Sequence, residues 1–269
     1  MPFCSLCDGI SLYYESSGKG NPIFFIHGWS FNSRIFNGQR DCLQDQFQVV
    51  GVDLRGHGKS ETGKERPTLQ QFASDLDHIL KRLELNEVSV VGWSMGGLIA
   101  IRLFSLCPER LKSLILVSAT PSLIQREGFA HALPLSVVKR LRSQVTRDHL
   151  KAIKMFRDLI LSPEEERSDI IDAIKKTLND EINVSKETAA DSLSSLMEED
   201  LRNSVENISL PALIIHGEKD QICFPGAALF LKESLTNAKL IMMQGCGHAP
   251  FLTSPLQFNK ELTEFLHSL

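Results

Sequence analysis

The sequence has no dominant charge of one sign and no long hydrophobic run. Its 269 residues include 29 Lys and Arg against 33 Asp and Glu, which gives a formal net charge of −4. So mild a charge provides no whole-protein attraction to nucleic acid or to a membrane surface. No segment approaches the roughly 20 apolar residues of a membrane-spanning helix, and residues 1–8 lack the basic flank and apolar run of a signal peptide. We therefore expect a cytoplasmic protein that binds neither nucleic acid nor a membrane.

Cysteine is sparse and scattered. The six thiols lie at positions 4, 7, 42, 107, 223 and 246, and in a cytoplasmic protein they are expected to be reduced and mostly buried. Cys4 and Cys7 have the spacing of half a zinc site, but the chain has no second Cys-x-x-Cys. We therefore expect no bound metal.

Two kinds of hydrophobic pattern alternate in the first half of the chain. Strand-like runs occupy residues 10–14, 22–26, 47–53, 88–91 and 111–117. Residues 69–83 have the periodicity of an amphipathic helix. Such alternation predicts an α/β fold with a mostly parallel, twisted sheet flanked by crossover helices. The turn-rich residues 16–21 predict that the first two strands form a hairpin.

Residues 122–205 interrupt this alternation. They have helical periodicity, are rich in Lys, Arg, Glu and Leu, and contain no convincing strand. Strand patterns return at residues 212–217 and 239–243, followed by a predicted helix from 255 to 266. We therefore expect residues 1–121 and 206–269 to form the core, with residues 122–205 inserted as a helical cap or lid.

A Gly-Trp-Ser-Met-Gly segment at residues 92–96 follows a predicted buried strand. This G-x-S-x-G pattern occurs in ordinary glycine-rich turns, but the strand before it and the apolar helical pattern after it favour a nucleophilic Ser94. Small residues at Gly92 and Gly96 let strand and helix approach closely around the serine. The turn aims the N–H of Met95 at the place where an oxyanion would form.

A serine nucleophile needs a base and an acid that orients the base. Asp220 and His248 each follow a late predicted strand, at the sheet edge where α/β proteins carry their sites. Glu218 is the alternative acid. We expect Asp220 to orient His248, and His248 to accept the Ser94 proton, in a reaction that requires no cofactor.

The second oxyanion donor is predicted in the loop after the strand at residues 22–26. We expect the backbone N–H of Trp29 to be this donor. We expect His27 and Gly28 to shape the turn. The Trp29 ring would either line an apolar acyl pocket or pack in the core. The glycine-rich loop at residues 53–60 lacks the spacing of a phosphate-binding loop and is expected to be structural.

Together these motifs resemble the α/β-hydrolase superfamily over nearly the whole chain. They are H-G-W, D-L-x-G-x-G-x-S, G-W-S-x-G-G, the helical insertion, a late G-x-x-D and G-H-A-P-F. The resemblance implies the α/β-hydrolase fold, and the order Ser94, Asp220, His248 is the one expected for it.

Within the superfamily, residues 92–97, 200–211 and 248–251 resemble the pimeloyl-[acyl-carrier protein] methyl ester esterases of biotin synthesis. This resemblance implies a serine carboxylesterase that hydrolyses a methyl ester of a pimeloyl-acyl-carrier-protein-like substrate through an acyl-enzyme. The implied substrate contacts are Trp29, Ser94, Met95, Phe156, Arg157, Leu159, Ile160 and His248.

The predicted cap carries a local excess of positive charge. Between residues 125 and 160 we count eight Lys and Arg against three Asp and Glu, a net charge of +5. An acidic acyl-carrier protein would be attracted to such a surface, here called the basic cap surface. We expect it to comprise Arg140, Arg142, Arg147, Lys151 and Lys154. A solvated helix face is the alternative interpretation.

Other functions fit the same predicted residues. A general carboxylesterase, a lactonase or a carbon–carbon bond hydrolase would use the same three side chains with a different pocket. A non-catalytic ligand-binding protein of the same fold is a further alternative. A haloalkane dehalogenase is disfavoured because it needs an aspartate where this chain has Ser94.

Overall fold

The structure is a computed structural model in which residues 2–64, 66–165, 171–179 and 182–269 are described. Within these residues eight strands form one sheet in the order β1-β2-β4-β3-β5-β6-β7-β8. The strands are β1 (Phe3–Ser5), β2 (Ser11–Ser17), β3 (Pro22–Ile26), β4 (Gln48–Val52), β5 (Val88–Trp93), β6 (Leu111–Val117), β7 (Ala212–Gly217) and β8 (Ala238–Met243). β1 and β2 are antiparallel to their neighbours, and the pairs from β4 to β8 are parallel. The predicted α/β-hydrolase architecture is confirmed.

Helices lie between and after the strands. They are α1 (Asn37–Leu43), α2 (Leu69–Arg82), α3 (Met95–Leu106), α4 (Leu135–Arg147), α5 (His149–Asp158), α6 (Ile171–Asn179), α7 (Lys186–Glu198), α8 (Arg202–Val205), α9 (Pro225–Ser234), α10 (Pro250–Thr253) and α11 (Pro255–His267). Within the described ranges no helix is both long and apolar enough to cross a membrane.

The predicted hairpin between the strands around residues 12 and 24 is wrong. β2 pairs with β1 and β4, with Tyr14 opposite Val52, while β3 lies between β4 and β5. Four of the five β3 residues are buried, whereas only Leu12 and Tyr13 of β2 are buried. An apolar run of that kind is stabilised between parallel strands whose two faces are covered rather than beside the partly exposed, antiparallel β2.

The sheet separates two hydrophobic layers because successive strand side chains point to opposite faces. Phe24 and Ile26 of β3 pack with α2 and α3 on one face. Ile23 and Phe25 pack with α1 and α11 on the other. Both layers are continuous along the sheet, which holds the ends of the parallel strands in fixed positions.

Helices α4 to α8 lie between β6 and β7 in the chain, as the helical periodicity predicts. Their buried side chains, such as Val145 and Leu193, belong to the same hydrophobic cluster as α2 and α3. Residues 166–170 and 180–181 of the predicted cap lie outside the described residues. The cap boundaries at residues 122 and 205 stay a prediction.

The parallel register places several loops at one edge of the sheet. Ile26 of β3 lies opposite Val52 of β4 and Gly92 of β5. Gly217 of β7 lies opposite Met243 of β8. The loops that follow these strands therefore emerge side by side, and they carry the predicted site residues.

Candidate active site

Ser94 forms the turn between β5 and α3. Its φ of 55° and ψ of −117° are a backbone conformation that side-chain-bearing residues rarely adopt. A Cβ on Gly92 would overlap the backbone of Gly96, and a Cβ on Gly96 would overlap the carbonyl of Ile26. Both glycines are therefore required for the strand, the turn and the helix to pack at this distance.

His248 and Asp220 are hydrogen-bonded to each other. His248 Nδ1 lies 2.7 Å from Asp220 Oδ2, and the two residues are 1% and 3% exposed. Asp220 Oδ1 accepts the N–H groups of Ile222 (2.8 Å) and Cys223 (3.0 Å), which orient the carboxylate. This arrangement keeps the remaining imidazole nitrogen of His248 available for proton transfer.

The loops of these two residues are held together at the end of β7 and β8. A Cβ on Gly217 would overlap the carbonyl of Gly247, so the glycine permits close approach. The Lys219 N–H donates to the Cys246 carbonyl at 2.9 Å. Glu218, the alternative acid, is exposed and accepts from the Gly245 N–H at 3.2 Å. Asp220, and not Glu218, is the carboxylate beside the imidazole.

Trp93 connects the nucleophile strand to the His248 loop. Its indole N–H donates to the His248 carbonyl at 2.8 Å, and the two rings lie 5.5 Å apart. Ser94, the next residue, is 9% exposed. His248 Nε2 is buried and has no hydrogen-bond partner among the described residues, so its hydrogen bond to Ser94 is not formed in this structure. Such bonds often form only when substrate is bound.

Cys223 also lies at the site, although the sequence analysis assigned it no role there. Burial raises the pKa of this thiol well above its ordinary value, Asp220 raises it further, and a side-chain hydrogen bond with Ser94 lowers it. The signal that could have identified Cys223 is its place three residues after Asp220, in the loop that wraps the carboxylate. The same loop is held by His216, whose Nε2 lies 2.7 Å from the Cys223 carbonyl.

Residues 27–31, here called the oxyanion loop, follow β3. The Phe31 N–H donates to the Gly28 carbonyl at 3.3 Å and closes a turn with Trp29 and Ser30 at its centre. His27 shapes this turn: its Nδ1 lies 2.8 Å from the Gly28 carbonyl, and its Nε2 accepts the Leu54 N–H at 3.0 Å. Met95 is the first residue of α3, where a backbone N–H has no partner within the helix.

The Trp29 ring contacts the inserted helices. Its indole N–H lies 3.0 Å from the Ala189 carbonyl and 3.1 Å from Ser192 Oγ of α7. The ring packs edge-on against Phe156 of α5, with centroids 4.9 Å apart. The ring is thus a contact between core and cap, and lining of an acyl pocket stays a prediction.

The predicted acyl-contact segment after α5 is divided between buried and exposed positions. Ile160 is buried and its carbonyl accepts the His248 N–H at 2.7 Å. Leu159 is 50% exposed. Arg157 is buried, and its guanidinium donates to the carbonyls of Ser30 and Leu178, contacts that the sequence does not predict.

The residues of the basic cap surface lie on α4 and α5. Arg140, Arg147, Lys151 and Lys154 are exposed. Arg142 is half-buried and donates to Ser194 Oγ of α7, so it also joins two cap helices. No cluster of three or more His, Cys, Asp or Glu side chains suited to a metal ion occurs in the described part of the chain.

This fold and the arrangement of Ser94, Asp220 and His248 around one sheet edge are those of a known class. A family profile described as the alpha/beta hydrolase fold matches residues 21–255. The chain belongs to the α/β hydrolase family.

Similar proteins cover almost all of the chain. The pimeloyl-[acyl-carrier protein] methyl ester esterase of Nitrosomonas europaea is 32% identical, over 92% of this chain and 96% of its own length. The protein of the same name from Nitrosospira multiformis is 30% identical, over 95% and 98%. Among solved structures, the esterase EaEST from Exiguobacterium antarcticum has a TM-score of 0.92 at 28% identity and covers 98% of both chains.

Proposed function

We propose that this protein is a serine carboxylesterase that hydrolyses a methyl ester of a pimeloyl-acyl-carrier-protein-like substrate. The observation that carries the proposal is the hydrogen-bonded pair of His248 and Asp220 beside a serine at positive φ on the strand-to-helix turn. The coarser activity follows from the family and from relatives named esterases over 92% and 95% of this chain. The chain is a carboxylic ester hydrolase.

In the proposed reaction His248 Nε2 accepts the Ser94 proton while Oγ attacks the ester carbonyl. Asp220 stabilises the imidazolium that results. The backbone N–H groups of Trp29 and Met95 bind the oxyanion, each contributing about 3 kcal/mol to transition-state stabilisation. His248 then protonates the departing methanol, and water hydrolyses the acyl-enzyme to release the carboxylate and regenerate Ser94.

The basic cap surface supports a carrier-bound substrate. Four of its five cations are exposed on two consecutive helices, and they lie among exposed apolar side chains, including Val137 of α4 and Leu150 of α5. An acidic carrier protein with an apolar contact face would complement both features. The relatives from Nitrosomonas europaea and Nitrosospira multiformis bear names that specify such a carrier-bound ester. We infer that a carrier docks on α4 and α5 while its acyl chain reaches Ser94.

Ser94→Ala tests the nucleophile. We expect kcat for a short-chain ester to fall by roughly 10⁴-fold or more, because no other group replaces the serine oxygen. A fluorophosphonate probe should label the wild type and not the variant. Circular dichroism and thermal unfolding should show that the variant is folded.

Ser89→Ala is the matched control, since Ser89 is a buried serine on β5, the strand that precedes Ser94, and its hydroxyl accepts from Ser113 at 2.9 Å. It should keep wild-type turnover and probe labelling. Retention of most activity by Ser94→Ala would refute the nucleophile. Turnover of a lactone or a dione, but not of dicarboxylate methyl esters, would favour the other hydrolase reactions.

A further inference from the structure

Arg157 is a buried cation near the end of α5, with only 2% of its surface exposed. Its guanidinium donates to the Leu178 carbonyl in α6 (2.6 Å) and to the Ser30 carbonyl in the oxyanion loop (2.5 Å). The guanidinium carbon lies 4.2 Å from the centroid of the Phe31 ring. A buried charge is costly to desolvate, and the two carbonyl contacts offset part of that cost, so they favour a defined position of the guanidinium against Ser30 and Leu178.

The contact with Ser30 falls on a strained part of the oxyanion loop. Ser30 is buried and has a φ of 66°, a conformation that favours glycine. It directly follows Trp29, the proposed oxyanion donor. By binding the Ser30 carbonyl, Arg157 stabilises the turn in which the Trp29 N–H is presented.

The same end of α5 also reaches the loop of the proposed base. The Ile160 N–H donates to the Arg157 carbonyl at 3.2 Å, and the Ile160 carbonyl accepts the His248 N–H at 2.7 Å. A second route starts at the Arg157 side chain. Its guanidinium contacts the Phe31 ring, and that ring lies 5.0 Å from the Trp93 ring. Trp93 in turn donates to the His248 carbonyl. Two routes of contact thus connect Arg157 to His248.

We propose that Arg157 is a positioning residue that fixes the oxyanion loop in place relative to the His248 loop. Because Arg157 belongs to the inserted helices, the catalytic geometry is complete only when those helices are seated on the core. This inference rests on the proposed hydrolysis by Ser94. It goes beyond that function by giving a cap residue a task in forming the oxyanion site rather than in contacting the acyl chain.

Arg126 provides a matched control. It is another arginine between β6 and β7, and its guanidinium also donates to backbone carbonyls, those of Met197 at 2.9 Å and Glu199 at 3.0 Å. These carbonyls belong to α7 and the residue after it, not to either catalytic loop. Arg126→Met therefore removes a comparable structural contact without touching the oxyanion loop.

The experiment compares Arg157→Met, Arg157→Lys and Arg126→Met with the wild type on p-nitrophenyl butyrate, well below every unfolding temperature. We expect Arg157→Met to lower kcat by roughly 10- to 100-fold with little change in KM, because misplaced donors act on the transition state. Binding of a trifluoromethyl ketone, whose serine adduct carries an oxyanion, should weaken in parallel. Arg157→Lys keeps the charge but cannot bind the Ser30 and Leu178 carbonyls at the same time, so its loss of kcat should be smaller. A further variant, Arg157→Ala, leaves space for a small cation, and millimolar guanidinium should restore part of its kcat.

A purely structural Arg157 would give a different result. It would lower the unfolding temperature, as Arg126→Met is expected to do, but would leave kcat and ketone affinity of the folded variant near wild type. That result, or an equal loss of kcat in Arg126→Met, would overturn the proposal. Should Arg157→Met not fold, the lysine variant decides by the same two readouts. Wild type and Ser94→Ala are measured in the same assay, so absence of Ser94-dependent turnover would indicate failure of the proposed function instead.

Discussion

Two potential nucleophiles, the Ser94 hydroxyl and the Cys223 thiol, lie beside the Asp220 and His248 pair. They differ in how they can ionise. In the proposed mechanism His248 acts as a base for an alcohol, whereas burial raises the pKa of the Cys223 thiol and keeps it protonated at neutral pH. The proposed mechanism therefore uses the Ser94 oxygen, and we expect Cys223 to be a packing residue of the Asp220 loop.

This difference predicts that the esterase resists thiol alkylation. Iodoacetamide at neutral pH should modify the exposed Cys7 and Cys42 but not the buried Cys223, because the reagent needs a thiolate and access. Peptide mass spectrometry would locate the label, and activity would be measured on the same samples. Labelled Cys7 and Cys42 confirm that the reagent works. Loss of activity that follows labelling of Cys223 would contradict the assignment.

For individual residues, the sequence predicted which side chains belong to the site better than it predicted which contacts they make. Ser94, Asp220 and His248 could be singled out because each lies at the end of a recognisable strand. The sequence favours Asp220 as the carboxylate that faces the imidazole and offers Glu218 as the alternative, since both lie in one loop. The contact of Arg157 with Ser30 could not be predicted, because it joins residues 127 positions apart.

Among the elements, α4 and α5 differ from the core helices in what they expose. Lys151 and Lys154 point to solvent beside exposed Met155, and Arg147 ends the preceding helix. Exposed charges of this kind contribute little to stability. Under the proposed function, their concentration on two helices would attract an acidic partner.

Reversal of two of these charges tests the carrier proposal. In Lys151→Glu/Lys154→Glu we expect kcat/KM for the carrier-bound methyl ester to fall by about 10-fold at low salt, because the acidic carrier is repelled. Turnover of the same ester as a free small molecule should not change. The wild-type preference for the carrier-bound form should weaken at high salt, where charges are screened.

Lys232→Glu/Lys260→Glu is the control for that experiment. These two lysines are exposed on the core helices α9 and α11, so the change in net charge is the same while the basic cap surface stays intact. Equal losses in the two double variants, or equal losses on both substrates, would refute docking on α4 and α5.

Most of the core elements whose bounds the sequence predicts agree with the structure within two residues, because their signals are local. Periodicity indicated a helix over residues 69–83 and the structure has Leu69–Arg82. The strand at residues 111–117 matches β6. The pairing of β2 was predicted wrongly, since a turn-rich connection indicates that the chain reverses but not which strand becomes its neighbour.

For the molecule as a whole, stability depends on two buried histidines, His27 at the start of the oxyanion loop and His57, which contacts it. His27 and His57 are fully buried, and their rings lie 5.2 Å apart. Burial lowers the pKa of His27 to about 4 and, with the neighbouring His27 as a smaller cause, that of His57 to about 3. The folded protein therefore keeps both imidazoles neutral at pH values where an unfolded chain protonates them.

The resulting prediction is a loss of stability in mild acid. The ordinary histidine pKa is about 6.5, so above that pH both states are neutral and stability is complete. Below it the unfolded chain takes up protons that the folded protein does not, until the pH falls through about 4 and then about 3. Within that pH range each histidine lowers the free energy of unfolding by up to about 1.4 kcal/mol per pH unit. Urea unfolding at pH 7.5, 6 and 5 measures this free energy.

His57→Asn removes one of the two titrating groups while keeping a side-chain amide near the Arg55 carbonyl, which lies 3.1 Å from His57 Nδ1. Its free energy of unfolding should depend less steeply on pH than that of the wild type. An equal slope in both proteins would mean that His57 is not the group that titrates.

Local sequence patterns were enough to predict the alternation of strands and helices, the strand-to-helix turn at Ser94 and the late positions of Asp220 and His248. These features depend on side-chain size, periodicity and glycine placement within a few residues, which sequence patterns record directly. Contacts between distant segments became visible only in the folded chain: Asp220 binds His248, as the sequence favours, Cys223 lies at Ser94, and Arg157 joins α5 to the oxyanion loop. Those contacts depend on how loops from distant parts of the chain approach one another, and that distance is set by the packing of the whole sheet and its helices.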